Sequence, residues 1–348
     1  MVQVFLMSAR RPFRAGLLLL TMLVLGIGTA CSGSTATSPT PTPAPTPTPP
    51  PVAAAPTLAC PNPVAASTTA TTGIAVNFTT PTAEGGQAPV TVTCAPESGT
   101  LFGIGQTNVE CTAKDSVART ASCAFPVTVT RIPSISKTRF LAFGDSITGG
   151  EVSFPVSSGR GFGTSVKLVQ VPSAAYPTVL GISLAGRYRA QEDSIAVANY
   201  GLGGEKAVNA RDRFFAALNT VRPDVVLLME GSNDIALGED GAASGAAREI
   251  GIMVNEARRR GMFVFLATIA PGRPGGSKTI APIFLTDYNN RMRSVASSTG
   301  ATLVDVNAAL ATDVTRYIGV DGLHPNELGY SKIAETFYNA IRSQFELP

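Results

Sequence analysis

Hydrophobic and polar positions fall into distinct textures along the chain. From residue 139 onward, continuous apolar runs (Phe140 to Phe143, Ile195 to Ala198, Val225 to Met229, Phe263 to Thr268, Leu303 to Val306) alternate with stretches in which apolar residues recur at helical spacing. Three such stripes are clear: Phe214, Ala217, Leu218, Val221; Ile250, Met253, Val254, Ala257; and Tyr330, Ile333, Ala334, Phe337. Runs that are apolar on both faces suit a buried parallel sheet, and the stripes suit the helices that cover it. Residues 139–348 therefore predict an α/β domain, a three-layer parallel sheet flanked by helices. Over residues 58–132 the texture is short alternating runs ("IAVNF", "VTVTC", "FPVTVT") punctuated by Gly, Pro and Ser, which predicts a small all-β sandwich. A polar joint, "RIPSISKT", connects the two.

Upstream lies an uncharged Pro/Thr tract over residues 31–57, which has too little apolar surface to offset its ordering entropy and reads as an extended, disordered tether. At ~3 Å per residue it could span roughly 70 Å, and a spacer with no binding role accounts for it. Residues 1–30 hold Arg10, Arg11 and Arg14, then "AGLLLLTMLVLGIGTA", then Cys31, the order of a secretory signal. The apolar run is short for a membrane-spanning helix, so the signal reading leads.

Composition sharpens this picture in two places. The formal net charge is +3, but without the leader arginines the chain has 24 basic against 24 acidic residues. A neutral mature protein gives no electrostatic reason to expect nucleic acid as a partner. Arg258 to Arg260 stand at the end of a helical stripe just before Gly261, where cations complement the helix dipole. Four of the five cysteines (Cys60, Cys94, Cys111, Cys123) fall in the sandwich region at separations of 34, 17 and 12, with no C-x-x-C. Disulfides are expected rather than a metal site, and export makes them chemically reasonable. Pairing Cys60 with Cys123 and Cys94 with Cys111 joins the first and last strands and the central two.

In an open parallel sheet, ligands bind outside the carboxyl ends of the strands. The first strand delivers Gly144, Asp145 and Ser146 there; the second "NYGLGG", Asn199 to Gly204; the third "EGSND", Glu230 to Asp234. The loop before the last helix reads "DGLHP", Asp321 to Pro325, and His324 is the only histidine of the chain. Other motifs fail: "GLGGEKA" lacks the last glycine of a dinucleotide fingerprint, "GGSKT" lacks a P-loop ending, and there is no G-x-S-x-G elbow. One histidine excludes H-E-x-x-H zinc chemistry, and neither a metal nor a cofactor is implied. The segments Glu151 to Pro172 and Ala270 to Pro282, rich in Gly, Ser and Pro, read as loops bordering the site.

The order and content of these four strand-end motifs resemble the SGNH (GDSL-type) hydrolase family, over residues 139 to 348. The resemblance implies a flavodoxin-like fold and a carboxylic ester hydrolase with no cofactor. It makes Ser146 the nucleophile, Gly204 and Asn233 oxyanion residues, and Asp321 and His324 the acid and base of the triad. The chemistry agrees: a serine hydroxyl needs a neighbouring base, His324 can serve, and Asp321 would hold its tautomer. The amides of Ser146 and Gly204 and the side chain of Asn233 could supply three oxyanion donors. Asp145 and Asp234 are expected to brace loops, and Gly201 and Gly203 to make turns.

Two further resemblances concern the upstream segments. "CAPESGTLFGIGQTNVECTAKDSVARTASCAFPVTV" resembles a hyalin-repeat (HYR), immunoglobulin-like domain, although "DSVART" replaces the Gly-Asn turn usual after the Asp. Such domains are associated with adhesion or spacing. The leader resembles a bacterial lipoprotein signal, which implies lipidation of Cys31, attachment to the membrane through that lipid, and, with Ser32 next, the outer membrane of the cell envelope. The substrate expected is an ester, with O-acyl groups such as acetyl on saccharides favoured over lipid and aryl esters. Competing readings are a lysophospholipase acting on the anchoring membrane, and a non-catalytic adhesion or carbohydrate-binding lipoprotein, against which the full set of five site residues speaks. Oligomeric state is left open.

Overall fold

The computed structural model describes residues 52–157 and 164–348; the expectations for the leader, for Cys31 and for most of the tether lie outside them. Ala53 O accepts from Arg119 Nη1 at 2.9 Å and Ala54 O from Gly86 N at 2.9 Å, so the last residues read as tether already dock on the sandwich.

The sandwich is built on a four-stranded sheet. Thr91–Ala95 pairs antiparallel with Gly105–Lys114, which pairs antiparallel with Thr120–Arg131, which in turn pairs parallel with Val64–Thr68. Alternation along Gly105–Lys114 sends Val109, Cys111 and Ala113 inward. Val109 and Cys111 meet Phe102, Phe125, Val127 and Val129 in a separate small core. The disulfides are Cys60–Cys123 and Cys94–Cys111, the pairing that strand order suggested. Asp115, buried in the turn after Gly105–Lys114, accepts the amides of Gln87, Val117 and Arg119 at 3.1, 3.1 and 2.9 Å. Held this way, the turn closes with Ala118 at φ 67°, without the Gly-Asn pair.

The α/β region is one parallel sheet with strands β1 (Arg139–Gly144), β2 (Ala196–Gly201), β3 (Val225–Met229), β4 (Phe263–Ala267) and β5 (Thr302–Val304), in the order β2-β1-β3-β4-β5. That is the flavodoxin-like order, and it reverses direction at β1. Helices α1 (Tyr176–Arg187) and α5 (Glu327–Phe345) pack together on one side; α2 (Arg211–Val221), α3 (Ala242–Arg259) and α4 (Pro282–Thr299) form the other layer. β3 is buried at every position, as a central strand must be, whereas β2 lies at an edge and is only partly covered. Register aligns Gly144 with both Gly201 and Met229, so the chain leaves β1, β2 and β3 at one level.

Two expectations need correction. Glu151–Ser157 and Thr164–Gln170 are not loop but the two strands of an antiparallel hairpin, with Glu151 opposite Gln170. The run has the β-branched content of strands (Val152, Val156, Val166, Val169), which its Gly and Ser residues obscured. The joint "RIPSISKT", expected to be polar, is partly buried. Ser134 and Ile135 are buried, and Ile135 belongs to the α/β core. Residues 134–136 are hydrogen-bonded to the C-terminal tail, Leu347 N to Ser134 O at 2.9 Å and Ser136 N to Phe345 O at 3.0 Å.

Candidate active site

β1 must deliver its last residues into a tight reversal beside β3. At Gly144 a Cβ would overlap the Met229 carbonyl, so only glycine lets the strands approach this closely. Asp145 then caps the single helical turn Ser146–Gly149, accepting from Ile147 N at 2.9 Å, while its other oxygen accepts the Ser232 hydroxyl. Burial raises the Asp145 carboxyl above its ordinary range, with the Ser232 and Ile147 hydrogen bonds working against that rise. Ser146 is thereby fixed at the start of the turn, 3% exposed.

His324 is brought to it from the far end of the sequence. Ser146 Oγ lies 2.8 Å from His324 Nε2, and His324 Nδ1 lies 2.5 Å from Asp321 Oδ2. A carboxylate can only accept, so Nδ1 carries the ring proton and Nε2 is left to accept from the serine. Asp321 Oδ1 accepts the amides of Leu323 at 3.2 Å and His324 at 3.1 Å, wrapping the loop around the carboxylate. Burial acts to raise Asp321, but the hydrogen bond and charge of His324 and these amides outweigh it and hold the carboxyl below its ordinary range. Pro325 sterically keeps the preceding His324 out of the helical region, the loop bridges to Ile318 at Pro325, and α5 begins after the Asn326 cap.

Gly204 takes φ 75°, a left-handed conformation that favours glycine, and a Cβ there would meet open space. Its glycine is therefore required by the backbone and not by crowding. Among the described residues, neither the Ser146 nor the Gly204 amide donates to a protein acceptor. Asn233, in the turn Ser232–Ile235 that follows β3, donates one Nδ2 hydrogen to Glu205 O at 2.8 Å and keeps the other free of that bond.

Sequence reasoning missed what holds this arrangement. Arg213 lies 3.9 Å over the Phe143 ring, chelates the Glu205 carboxylate, and donates to Tyr200 O at 2.8 Å and Gly144 O at 3.2 Å. One guanidinium so ties the ends of β1 and β2 to the loop that carries Gly204. Ser153 Oγ accepts the Asp321 amide at 3.3 Å, and Tyr330 Oη donates to Glu151 O at 2.6 Å. These pairs stand 168 and 179 positions apart, where no local spacing could signal them.

Asp234 braces the helix entrance by accepting from Ala207 N at 2.7 Å and Val208 N at 3.3 Å, as expected of it. Neither Gly201 nor Gly203 takes a positive φ; Gly203 lies in the turn Leu202–Glu205, closed by Glu205 N to Leu202 O at 3.2 Å, as expected, whereas Gly201 ends strand β2. A Cβ on Gly201 would overlap the Gly149 backbone, and one on Gly203 the Glu151 carboxylate. The segment 270–281 packs on the Asp321 loop through Arg273 N to Gly322 O at 2.9 Å and Lys278 N to Asp321 O at 2.7 Å. Among the described residues no cluster of His, Cys, Asp and Glu side chains is arranged to hold a metal ion. The arrangement can take a proton from a serine hydroxyl, hold the resulting imidazolium beside a carboxylate, and offer amide donors to a developing oxyanion.

Comparison with known proteins gives two family matches. The GDSL-like Lipase/Acylhydrolase family matches residues 142–332, and the HYR domain matches residues 53–129. Similar solved structures include the lipase/acylhydrolase from Enterococcus faecalis, 18% identical over 60% of this chain and 97% of that one, with a TM-score of 0.48. The acetyl xylan esterase AlAXEase is 21% identical over 58% of this chain and 98% of that one, at 0.45. The psychrotrophic esterase EstA from Pseudoalteromonas sp. is 19% identical over 59% and 97%, at 0.44. No curated protein matches.

Proposed function

The chain belongs to the GDSL-like lipase/acylhydrolase family, and from that premise we propose that it is an exported serine esterase in which Ser146, His324 and Asp321 act as the triad. The observation that carries this reading is the unbroken relay of 2.8 Å from Ser146 Oγ to His324 Nε2 and 2.5 Å from His324 Nδ1 to Asp321 Oδ2. His324 takes the serine proton as Oγ attacks the ester carbonyl, and Asp321 stabilises the imidazolium. The tetrahedral oxyanion is received by the amides of Ser146 and Gly204 and by the second Nδ2 hydrogen of Asn233. His324 then returns the proton to the departing alcohol, and water repeats the sequence on the acyl-enzyme.

The substrate proposed is an O-acylated saccharide with a small acyl group such as acetyl. Two groups that border the Ser146–His324 pair are a carboxylate and a glycine: Glu151, 3.7 Å from His324 Nε2, and Gly203, whose Cβ position would be 4.0 Å from Ser146 Cβ. Such a lining suits a short acyl group on a hydroxylated alcohol better than a long hydrocarbon chain. Ser146→Ala and His324→Ala should each abolish turnover of phenyl acetate and, combined, be scarcely worse than either alone, because groups acting as a unit are not additive. Asn233→Ala should lower kcat on the order of 100- to 1,000-fold with KM little changed. Robust hydrolysis by His324→Ala would move the chemistry to another site.

Location is part of the same proposal. Cleavage before Cys31 and lipidation of its thiol would hold the enzyme on the outer membrane, with the Pro/Thr tract as spacer and the HYR domain between spacer and enzyme. In Cys31→Ser the protein should leave the membrane fraction or keep its leader; a wild-type protein found soluble and cut elsewhere would refute the anchor.

A further inference from the structure

In the mechanism above, His324 Nε2 hands a proton to the departing alcohol, so the alcohol oxygen must come within about 3 Å of that nitrogen. A second group already borders it. Glu151 Oε2 is 3.7 Å from His324 Nε2, and Glu151 Oε1 lies so close to Gly203 that a Cβ on that glycine would overlap it. The same Cβ position would be 4.0 Å from Ser146 Cβ. The carboxylate thus reaches from the base to the wall beside the nucleophile. None of the triad or oxyanion roles uses it.

Its placement is built, not incidental. The Glu151 carbonyl accepts from Tyr330 Oη at 2.6 Å, Ser153 two residues on accepts the Asp321 amide at 3.3 Å, and the hairpin register sets Glu151 opposite Gln170. The backbone is therefore pinned to the loop that carries Asp321 and His324. The side chain remains 26% exposed, so it meets whatever enters from solvent. Gly203 leaves the carboxylate its room, a role that turn-making would not require.

We propose that Glu151 is a specificity-determining residue acting on the alcohol side of the ester, which admits neutral, hydroxyl-bearing alcohols and rejects alcohols with an anionic group near the scissile oxygen. The inference deepens the esterase reading and rests on it. Whatever is attached to the leaving oxygen is held beside Glu151. Two like charges about 5 Å apart at the effective dielectric of a protein surface repel enough to cost tenfold or more in rate. A hydroxyl on the neighbouring carbon instead donates to the carboxylate, a charge-assisted bond. An acylated neutral saccharide meets the second condition. A lysophospholipid carries its phosphate on the same short alcohol and meets the first.

The test uses three acetyl esters that share one acyl group and differ in charge on the alcohol: phenyl acetate, 3-acetoxybenzoate, and the 3-acetoxyphenyl trimethylammonium ion. Each kcat/KM is divided by the ester's own alkaline hydrolysis rate. For the wild type the anionic ester should fall about tenfold or more below phenyl acetate, and the gap should shrink as salt is added. Glu151→Gln should bring the two within about twofold, and Glu151→Asp should keep the discrimination. A change that merely loosened the fold would lower all three esters together and leave their ratios alone. Equal normalised ratios in wild type and Glu151→Gln, in an enzyme whose activity depends on Ser146, overturn this inference alone. Failure of the wild type to hydrolyse phenyl acetate, or full activity in Ser146→Ala, overturns the esterase reading and this one with it.

Discussion

Glu230 follows β3 with 2% of its surface exposed; its Oε1 accepts from Gly231 N at 3.3 Å, and its Oε2 has no partner among the described residues. Burial, then the charges of Asp145, Glu205 and Asp234, push this carboxyl well above its ordinary value of 4.5. The folded protein holds this proton to higher pH than the unfolded chain, which releases it around the ordinary value. Stability from this group therefore declines as pH rises from that value toward the folded one. Gln reproduces the protonated shape without that cost. Glu230→Gln should be more stable than wild type at neutral pH, on the order of 1 kcal/mol, and about equal at pH 4; urea unfolding at both pH values checks it, and a mutant less stable at pH 7 would show that the carboxyl is ionised. Residues of this kind were invisible in the sequence. Ser146, Asn233, Asp321 and His324 could be picked out as candidates because they stand in short local motifs at strand ends. Glu151, Glu230, Arg213 and Gly203 take their roles from what lies across the fold, and no spacing records that.

Elements were legible where burial dictates the pattern. β3 is apolar at all five positions and its bounds, Val225–Met229, coincide with the run that predicted it. At the edge the same logic weakens: β2 was read from Ile195 to Ala198, but it runs Ala196–Gly201, because half of an edge strand faces solvent and need not be apolar. The hairpin was hidden for a related reason. Val152, Phe154 and Val156 alternate with Ser153, Pro155 and Ser157, so only one face is apolar, and Phe154 and Val156 on it are 43% and 38% exposed, unlike the doubly buried strands of the sheet. Helices α1 and α4 escaped notice too. Each carries a proline in its first turn, Pro177 and Pro282, that reads as a loop residue in isolation yet suits that position of a helix. Helices α2, α3 and α5, each striped against the sheet, declared themselves plainly.

At the scale of the molecule, residues 53–348 form one compact unit that contains two cores. The seam between them is narrow: Arg131 Nη2 donates to Leu347 O at 2.8 Å, and residues 134–136 run beside the C-terminal tail. The tail itself is anchored in the α/β region. Glu346 accepts from Arg187 at 2.6 and 2.7 Å and from Tyr188 Oη at 2.8 Å, and the Arg187 hydrogen bonds, against the cost of burial, hold its carboxyl down to about 2. So the strap that receives the sandwich belongs to the enzyme's own core, and that core closes without any sandwich residue before Ile135. The sandwich, with its few buried side chains, depends instead on Cys60–Cys123 and Cys94–Cys111, each disulfide contributing ~2 to 4 kcal/mol by constraining the unfolded chain. Replacing both pairs by alanine should therefore unfold the sandwich first and leave the α/β region folded. Limited proteolysis should cut within residues 58–132 while phenyl acetate hydrolysis stays near the wild-type rate. Loss of hydrolysis in step with cleavage would mean that the seam at Arg131 and Leu347 couples the two cores into one cooperative unit.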